Sequence, residues 1–252
     1  MTNNQSVSLI VPVYNEQANI QKGVLDKIGN YTETNLDFIE VVIVDDGSTD
    51  GSLGSIKQKY LPQFKKFRLL ENPHQGKAQT LITGIQESKG DYVLFSDIDL
   101  ATPIEEAEKL IAEINNNYKI IIGSRNNQRA GAPLLRKIMA LGFIHIRNFL
   151  IGLKGVRDTQ CGFKLFERTA SRAIIEKLVV FKEKKKIEGS SVSAGFDLEF
   201  LFVARKMGYK IKEVPVTWRH VETKNVSFIR DSLEGFHDVL AIRYNDFLKK
   251  YA

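Results

Sequence analysis

The feature that most constrains the fold of this chain is a regular alternation of strand-like and helix-like segments over its first half. Short apolar runs predict strands at 7–13, 38–44, 67–70, 92–95 and 119–123. Segments with helical periodicity between them predict helices over 18–28, 50–60, 76–87 and 103–115. This alternation predicts an α/β fold, with a mostly parallel central sheet flanked by helices and with ligands bound at the carboxyl ends of the strands.

The length and composition fit one such domain, 1–252. With 252 residues, of which 43% are hydrophobic, the chain can bury a sizeable core, and no internal repeat or low-complexity linker divides it. The single cysteine, Cys161, excludes an internal disulfide and a multi-cysteine zinc site. Neither a signal peptide nor a transmembrane helix is predicted, because no apolar stretch reaches roughly 18 residues. We therefore expect a cytoplasmic, reducing environment.

Charge is distributed unevenly along the chain. Lys and Arg number 12 against 17 Asp and Glu in residues 1–128, but 14 against 4 in residues 129–186. The remaining residues are nearly balanced, at 10 against 9. An acidic first half followed by a basic middle predicts that the first holds a cation and the second an anionic partner.

Polar segments follow four consecutive predicted strands. These segments are PVYNE (12–16), DDGSTD (45–50), NPHQGKAQT (72–80) and SDIDL (96–100). In the last of them Asp97 and Asp99 are at i and i+2 after an apolar run, so in an extended segment both carboxylates point the same way and can converge on a cation. They could equally be turn formers or caps of the helix that starts near Thr102 and Pro103, and spacing alone leaves both interpretations open.

Two familiar phosphate-binding motifs are absent from the sequence. The segment GKA at 76–78 lacks the upstream Gly and the following Ser or Thr of a P-loop, and no G-x-G-x-x-G follows the first strand. Neither a P-loop NTPase nor a Rossmann dehydrogenase is therefore supported.

The four strand-end segments, in this order and spacing, resemble the nucleotide-sugar domain of family 2 glycosyltransferases, which have the GT-A fold. The resemblance continues through GSR (123–125), GVRDTQCGFKLF (155–166), GFDLEFL (195–201) and EVPVTW (213–218), and so covers nearly the whole chain. The block 155–166 is similar to the dolichyl-phosphate β-glucosyltransferase and polyprenyl-phosphate subgroup. The resemblance implies a Rossmann-like nucleotide-binding half (1–128) and an acceptor-binding half (129–252).

The resemblance also implies roles for single residues. It places the nucleotide against Pro12, Tyr14, Asn15, Glu16, Asp46, Lys77 and Asp97. Asp97 and Asp99 are similar to the DxD pair that holds Mg²⁺ or Mn²⁺, which neutralises the leaving diphosphate. Ala101 stands where mannosyl-transferring relatives often carry a Gln, and this favours glucose as the sugar.

The basic middle of the chain supplies candidates for the acceptor site. A lipid phosphate is already ionised near neutral pH, and arginine binds phosphate through a planar fork. The acceptor-phosphate candidates are Arg125, Arg129 and Arg136. The resemblance implies an acidic residue of the site at the position of Asp158, which is therefore expected to act as a base or to orient the acceptor, with a structural turn as the alternative. The catalytic candidates are Asp99, Asp158, Arg125 and Arg136.

A mostly apolar segment, 133–152, lies within this basic region. On a helix Arg136 and Arg147 share one side, which leaves a narrow polar stripe against a wide apolar face. The pattern is typical of an interfacial helix that dips into a membrane and also of an ordinary core helix, and both interpretations stay open.

These features predict an inverting, metal-dependent glycosyltransferase that moves a hexose, with glucose preferred, from UDP to a polyprenyl (dolichyl or undecaprenyl) phosphate. The expected location is peripheral, on the cytoplasmic face of the membrane, and nucleic acid is not an expected partner. The alternatives are a GDP-mannose donor, a saccharide hydroxyl as acceptor, or a catalytically silent nucleotide-sugar-binding protein.

Overall fold

A mixed β-sheet organises the part of the chain that the structure, a computed structural model, describes: residues 5–125, 147–182, 194–219 and 228–251. Its strands are β1 (Val7–Val13), β2 (Phe38–Asp45), β3 (Phe67–Glu71), β4 (Tyr92–Ser96), β5 (Ile120–Ser124), β6 (Phe163–Glu167) and β7 (Ile211–Pro215). They lie in the order β3-β2-β1-β4-β6-β5-β7. Only β6 is antiparallel to its neighbours in this sheet, which confirms the prediction of a mostly parallel sheet.

Helices cover the sheet. They are α1 (Gln17–Gln21), α2 (Val24–Thr34), α3 (Ser52–Ser55), α4 (Leu61–Gln63), α5 (Lys77–Glu87), α6 (Ala107–Ala112), α7 (Arg168–Glu176), α8 (Ala194–Lys206) and α9 (Phe228–Phe247). A π-helical turn, Ile56–Tyr60, joins α3 to α4. The prediction of one helix over 18–28 is wrong, because Gly23 adopts φ 77° and breaks the segment into α1 and α2.

Apolar side chains fill both faces of the sheet. Along β1, Leu9 and Val11 pack into one hydrophobic cluster with α2, whereas Ile10 between them packs into the other cluster with α5 and α8. Such burial on both faces explains why the parallel strands read as continuous apolar runs. Phe196 and Phe200 of α8 are buried in the second cluster.

The reversed strand β6 brings the later part of the chain to the edge where the early strands end. Phe163, its first residue, pairs with Ser96, the last residue of β4, so the preceding segment 158–162 arrives beside the Asp97–Asp99 loop. Strands β5 and β7 end together at Ser124 and Pro215. Segments from both halves of the chain therefore meet at one edge of the sheet.

Helix α9 is apolar on two sides. Val239 and Ile242 are buried against the body of the domain, next to α8. Within 235–247, the part of the helix whose side chains are described, the exposed large apolar residues are Phe236, Leu240, Tyr244 and Phe247, and exposed Leu248 follows them. Among the described helices, none has the length and hydropathy needed to cross a membrane.

Candidate active site

The loops after β1 and β2 are tied together through Asn15. Its side-chain oxygen accepts hydrogen bonds from the N–H groups of Thr49 (2.8 Å) and Asp50 (3.2 Å), and its own N–H donates to the Ser48 hydroxyl (3.0 Å). Asn15 also adopts φ 53°, in the left-handed region that asparagine tolerates. Asn15, expected at the nucleoside, thus holds the two loops that frame this end of the sheet.

Two stacked rings form an aromatic platform beside these loops. The rings of Tyr14 and His74 lie 4.0 Å apart between centroids with a 9° interplanar angle. Asp46 anchors the platform: its Oδ2 lies 2.8 Å from Nδ1 of His74 and accepts the N–H of Gly76 at 2.8 Å, while its Oδ1 accepts the N–H of Gln75 at 2.9 Å. His74 was not predicted to belong to the site. The indication in the sequence is its aromatic ring, which lies in the polar segment that follows β3.

The neighbouring Asp45 differs from Asp46 in one respect. Its Oδ2 accepts the N–H groups of Gly47 (3.1 Å) and Ser48 (3.0 Å), but its Oδ1 is buried and has no hydrogen-bond partner in the described part of the chain. A buried acceptor without a donor costs about 1–3 kcal/mol. Such an atom at the end of a parallel strand is a candidate for a bond from a ligand.

The two aspartates singled out in the sequence lie at this same edge. Asp97 Oδ1 forms an ion pair with the Lys77 ammonium, and Asp99 Oδ1 accepts the N–H of Ala101 at 3.0 Å. Asp97 packs so closely on Gly162 that a Cβ there would lie 1.9 Å from Oδ2. The glycine of the CGF segment is therefore required by the position of the Asp97 carboxylate.

Negative charge accumulates around Asp99. Burial raises the pKa of Asp99, and the charge of Asp97 raises it further against the opposing effects of the Ala101 N–H and of Lys77. Burial also raises the pKa of Glu16, and Asp99 and Asp97 add to that shift against a hydrogen bond from Asn19. The three carboxylates thus act on one another, and a bound cation would relieve their repulsion.

The donor set at this site suits a hard divalent cation. Among the described residues no group of three or more His, Cys, Asp or Glu side chains is arranged to hold a metal ion. Mg²⁺ at nucleotide sites, however, is usually bound by one or two carboxylates, with phosphate and water as the other ligands. Asp97 and Asp99 therefore fit a metal that is shared with a diphosphate.

Arg125 and Asp158 form a two-pronged ion pair nearby. Nε and Nη2 of Arg125 donate to the two carboxylate oxygens at 2.7 and 2.8 Å, and the Arg125 N–H donates to Oδ2 at 3.0 Å. Burial raises the pKa of Asp158, but the bonds and charge of Arg125 outweigh it and hold that pKa below its ordinary value. Asp158 is thus an ionised anchor for Arg125, whose Cζ lies 5.7 Å from the Trp218 ring centroid.

A second buried ion pair lies next to the Lys77–Asp97 pair. Nζ of Lys164 donates to Asp197 Oδ1 at 2.9 Å and to the Cys161 carbonyl at 2.5 Å, and it lies 4.9 Å from the Phe95 ring centroid. Neither Lys164 nor Asp197, which lies in the first turn of α8, was predicted to be a site residue. The two residues connect α8 to β6 at the edge that carries the carboxylates.

The remaining expected residues are placed as follows. Pro12 lies in β1 opposite Val44 and is partly exposed. Arg129, Arg136 and the first part of the segment 133–152 lie outside the described residues. The prediction that Arg147 belongs to a polar stripe is wrong: it is 2% exposed and donates to the Thr159 hydroxyl (2.8 Å) and the Val156 carbonyl (2.7 Å).

Comparison with known proteins agrees with this geometry. The model of glycosyl transferase family 2 matches residues 8–175. A dolichyl-phosphate beta-glucosyltransferase of Trichomonas vaginalis is 36% identical over 228 residues, which is 86% of this chain and 66% of the relative. The enzyme of that name from Saccharomyces cerevisiae is 31% identical over 258 residues, covering 94% of this chain and 74% of the relative. The chain thus spans about two thirds to three quarters of these relatives.

Solved structures show the same fold at lower identity. Glucosyl-3-phosphoglycerate synthase of Mycobacterium tuberculosis, in complex with Mn²⁺, UDP and glucosyl-3-phosphoglycerate, superimposes with a TM-score of 0.66 at 17% identity, over 95% of this chain and 80% of that one. Mannosyl-3-phosphoglycerate synthase of Rubrobacter xylanophilus gives 0.63 at 15% identity, over 96% and 75%. The expected GT-A architecture is confirmed, and the chain belongs to glycosyl transferase family 2, a family of enzymes.

Proposed function

We propose that this protein is an inverting, metal-dependent glycosyltransferase that moves glucose from UDP-glucose to a polyprenyl phosphate. The observation that carries the proposal is the Asp97–Asp99 pair, beside Lys77, at the carboxyl edge of a GT-A sheet. The names of the relatives support dolichyl phosphate as acceptor and glucose as sugar. The Mn²⁺ and UDP bound to a structural neighbour support the donor and the metal.

The side chains at the sheet edge have separate roles in the proposed reaction. Asp97 and Asp99 would hold Mg²⁺ or Mn²⁺, and Lys77 would bind the diphosphate; the bound metal supplies Lewis-acid stabilisation of the leaving UDP. An oxygen of the lipid phosphate attacks the sugar C1 from the side opposite UDP, so that the new C1–O bond forms while the bond to UDP breaks and UDP leaves with the electron pair. Because this nucleophile is already ionised, no base is needed, and Asp158 serves to orient Arg125.

A donor competition tests the proposal. The purified protein is given dolichyl phosphate with equal amounts of UDP-glucose, UDP-galactose, UDP-N-acetylglucosamine and GDP-mannose. The sugar released from the lipid product by mild acid is then identified by chromatography against the four standards, because the three hexosyl lipids have the same mass. We expect glucosyl lipid to dominate. Dominant mannosyl lipid would favour the GDP-mannose alternative, and binding of nucleotide sugars without turnover on lipid or saccharide acceptors would favour the silent binding protein.

We expect Asp45 rather than Asp46 to recognise the base. One buried carboxylate oxygen of Asp45 has no hydrogen-bond partner among the described residues, whereas both oxygens of Asp46 accept hydrogen bonds. The N3–H of uracil can donate to this oxygen, whereas cytosine has an acceptor at that position. Asp45→Asn should weaken UDP binding roughly tenfold and lower the ratio of UDP affinity to CDP affinity. Calorimetry with both nucleotides measures this change.

The neighbouring residue supplies the control for this prediction. Asp46→Asn disturbs the loop 74–76 and should weaken UDP and CDP alike, since Asp46 bonds to that loop. A lost UDP preference in Asp46→Asn, with Asp45→Asn unchanged, would assign the base contact to Asp46 instead.

Two exposed apolar features support a peripheral membrane contact. Phe149, in the helical turn 147–151, is 86% exposed, and on α9 Tyr244 and Phe247 are 63% and 78% exposed. Aromatic side chains of this kind insert at the membrane interface. We expect Phe149→Ser and the double variant Tyr244→Ser/Phe247→Ser each to lower co-sedimentation with anionic vesicles, without loss of UDP binding.

The matched control is Leu36, which is 84% exposed between α2 and β2. Leu36→Ser removes a similar exposed apolar side chain from a site not proposed to meet the membrane, so vesicle binding should not change. Equal loss of binding in all three variants, or no binding by the wild type, would contradict the membrane contact.

A further inference from the structure

The ammonium of Lys77 forms an ion pair with Oδ1 of Asp97. Lys77 is the first residue of α5, and Gly76 before it has φ 87°, a conformation that suits glycine. On the other side Asp97 is backed by Gly162, whose carbonyl accepts the Asp97 N–H at 3.2 Å. The pair therefore joins the helix start after β3 to the loop after β4, in the position proposed for the metal and the diphosphate.

Among the described residues, Asp197 is a further anionic neighbour that acts on the charge of Lys77, besides Asp97 and Asp99. Burial lowers the pKa of Lys77, but Asp97, Asp197 and Asp99 outweigh it and raise that pKa above its ordinary value. Asp197, however, already accepts a hydrogen bond from buried Lys164 at 2.9 Å. An ammonium displaced from Asp97 would therefore need a new anion.

We propose that Lys77 holds the place of the metal at Asp97 in the free protein, and that it transfers to the donor diphosphate when the metal arrives. The inference rests on the proposed function and adds a binding order to it. Metal alone must displace Lys77 and leave its charge unpaired beside a divalent cation. Metal with nucleotide supplies the diphosphate as the new partner, so the two ligands bind cooperatively.

This exchange has a definite thermodynamic signature. Two cations at one carboxylate oxygen repel each other, which weakens metal binding in the absence of nucleotide. The diphosphate removes that penalty, and by linkage the metal strengthens nucleotide binding by the same factor. A neutral side chain at position 77 should therefore improve metal binding only while nucleotide is absent.

The test is a titration of the wild type and Lys77→Met with Mn²⁺, in which free Mn²⁺ is followed by electron paramagnetic resonance, with and without saturating UDP. Without UDP, we expect Lys77→Met to bind Mn²⁺ roughly ten- to a hundredfold more tightly than the wild type, the range expected for release of one charge-assisted hydrogen bond. With UDP, the variant should gain nothing. Binding of Mn²⁺ to UDP in solution is the same for both proteins and cancels in the comparison.

Two further variants serve as controls. Lys77→Arg keeps a cation that can pair with Asp97, so its Mn²⁺ affinity without UDP should remain near that of the wild type. Lys57→Met removes an exposed lysine that pairs with Glu71, and it matches the change in net charge. It should leave Mn²⁺ binding unchanged.

The outcomes separate this inference from the proposed function. Tighter Mn²⁺ binding by Lys77→Met to the same extent with and without UDP, or no tightening at all, would overturn the exchange and leave the metal site standing. Absence of Mn²⁺ binding by the wild type even with UDP would overturn both.

Discussion

Asp99→Asn will lower turnover by about three orders of magnitude or more and leave the protein folded. The carboxylate is proposed to hold the metal that stabilises the leaving diphosphate, a contribution of several kcal/mol to the transition state, and each 1.4 kcal/mol or so is a factor of ten in rate. Burial raises the pKa of Asp99, so its ionised form costs the folded state free energy at neutral pH. Asparagine should therefore keep or raise the melting temperature. UDP release and thermal unfolding measure the two effects.

Asp91 provides a matched control at the other end of β4. It directly precedes β4, at the end opposite the site, and its Oδ2 accepts hydrogen bonds from the N–H (3.0 Å) and hydroxyl (2.8 Å) of Ser6. These bonds lower the pKa of Asp91, so its ionised form favours the folded state. Asp91→Asn should lower the melting temperature and keep the rate, the reverse of Asp99→Asn. Full activity of Asp99→Asn in metal-free buffer would contradict the assignment.

Arg125→Ala is expected to have the largest effect on stability among the site variants. It leaves the Asp158 carboxylate buried without its guanidinium partner, and removal of one member of such a pair costs about 3–5 kcal/mol. For a domain of this size, the melting temperature should fall by about 6 °C or more. Asp158→Asn in the same chain removes the stranded charge, so the double variant should recover part of the loss.

The pair also predicts a dependence on pH. Because Arg125 outweighs burial and holds the pKa of Asp158 below its ordinary value, the pair stabilises the folded state above the pKa of an ordinary aspartate. This stabilisation is lost as the pH falls through the lowered pKa of the folded state. The difference in unfolding free energy between wild type and Arg125→Ala should therefore shrink in acid, and a difference that grows there would contradict the ion pair.

The same double variant separates the structural role of Arg125 from its proposed role at the acceptor. If Arg125 also binds the lipid phosphate, Arg125→Ala/Asp158→Asn will regain stability but keep a KM for polyprenyl phosphate raised roughly tenfold or more. Its UDP affinity should match that of the wild type. A normal KM for the lipid in this variant would limit Arg125 to the ion pair with Asp158.

The parallel part of the fold could be predicted from the sequence because burial on both faces makes each strand a short apolar run between polar segments. The direction of β6 could not be predicted, because the residue pattern of FKLFE does not distinguish a parallel from an antiparallel strand. Its antiparallel direction is seen only in its pairing with β4 and β5. The break at Gly23 was missed because an isolated glycine is tolerated inside a helical pattern.

In the site too, features set by neighbouring residues could be predicted from the sequence, whereas features set by contacts between distant residues could not. Asp97 and Asp99 could be singled out because they follow an apolar run, but spacing left a turn as the alternative, and residues 97–100 do form a turn in which the Leu100 N–H donates to the Asp97 carbonyl at 3.2 Å. The metal interpretation came from the resemblance and stays a prediction. The pairing of Asp97 with Lys77 joins two predicted strand ends. The burial of Arg147 depends on acceptors nine and twelve residues away, Val156 and Thr159, whose placement no local pattern reveals. The difference between Asp45 and Asp46 likewise arises from the loop 74–76.

The most direct test of the central claim is the mass of the lipid formed by the purified protein from UDP-glucose, dolichyl phosphate and Mn²⁺, with released UDP measured in the same reaction. We predict glucosyl phosphoryl dolichol in a one-to-one ratio with UDP, and neither product after the metal is removed by a chelator. Release of UDP with free glucose and no modified lipid, or equal formation of the lipid product in the presence of chelator, would contradict a metal-dependent transfer to polyprenyl phosphate.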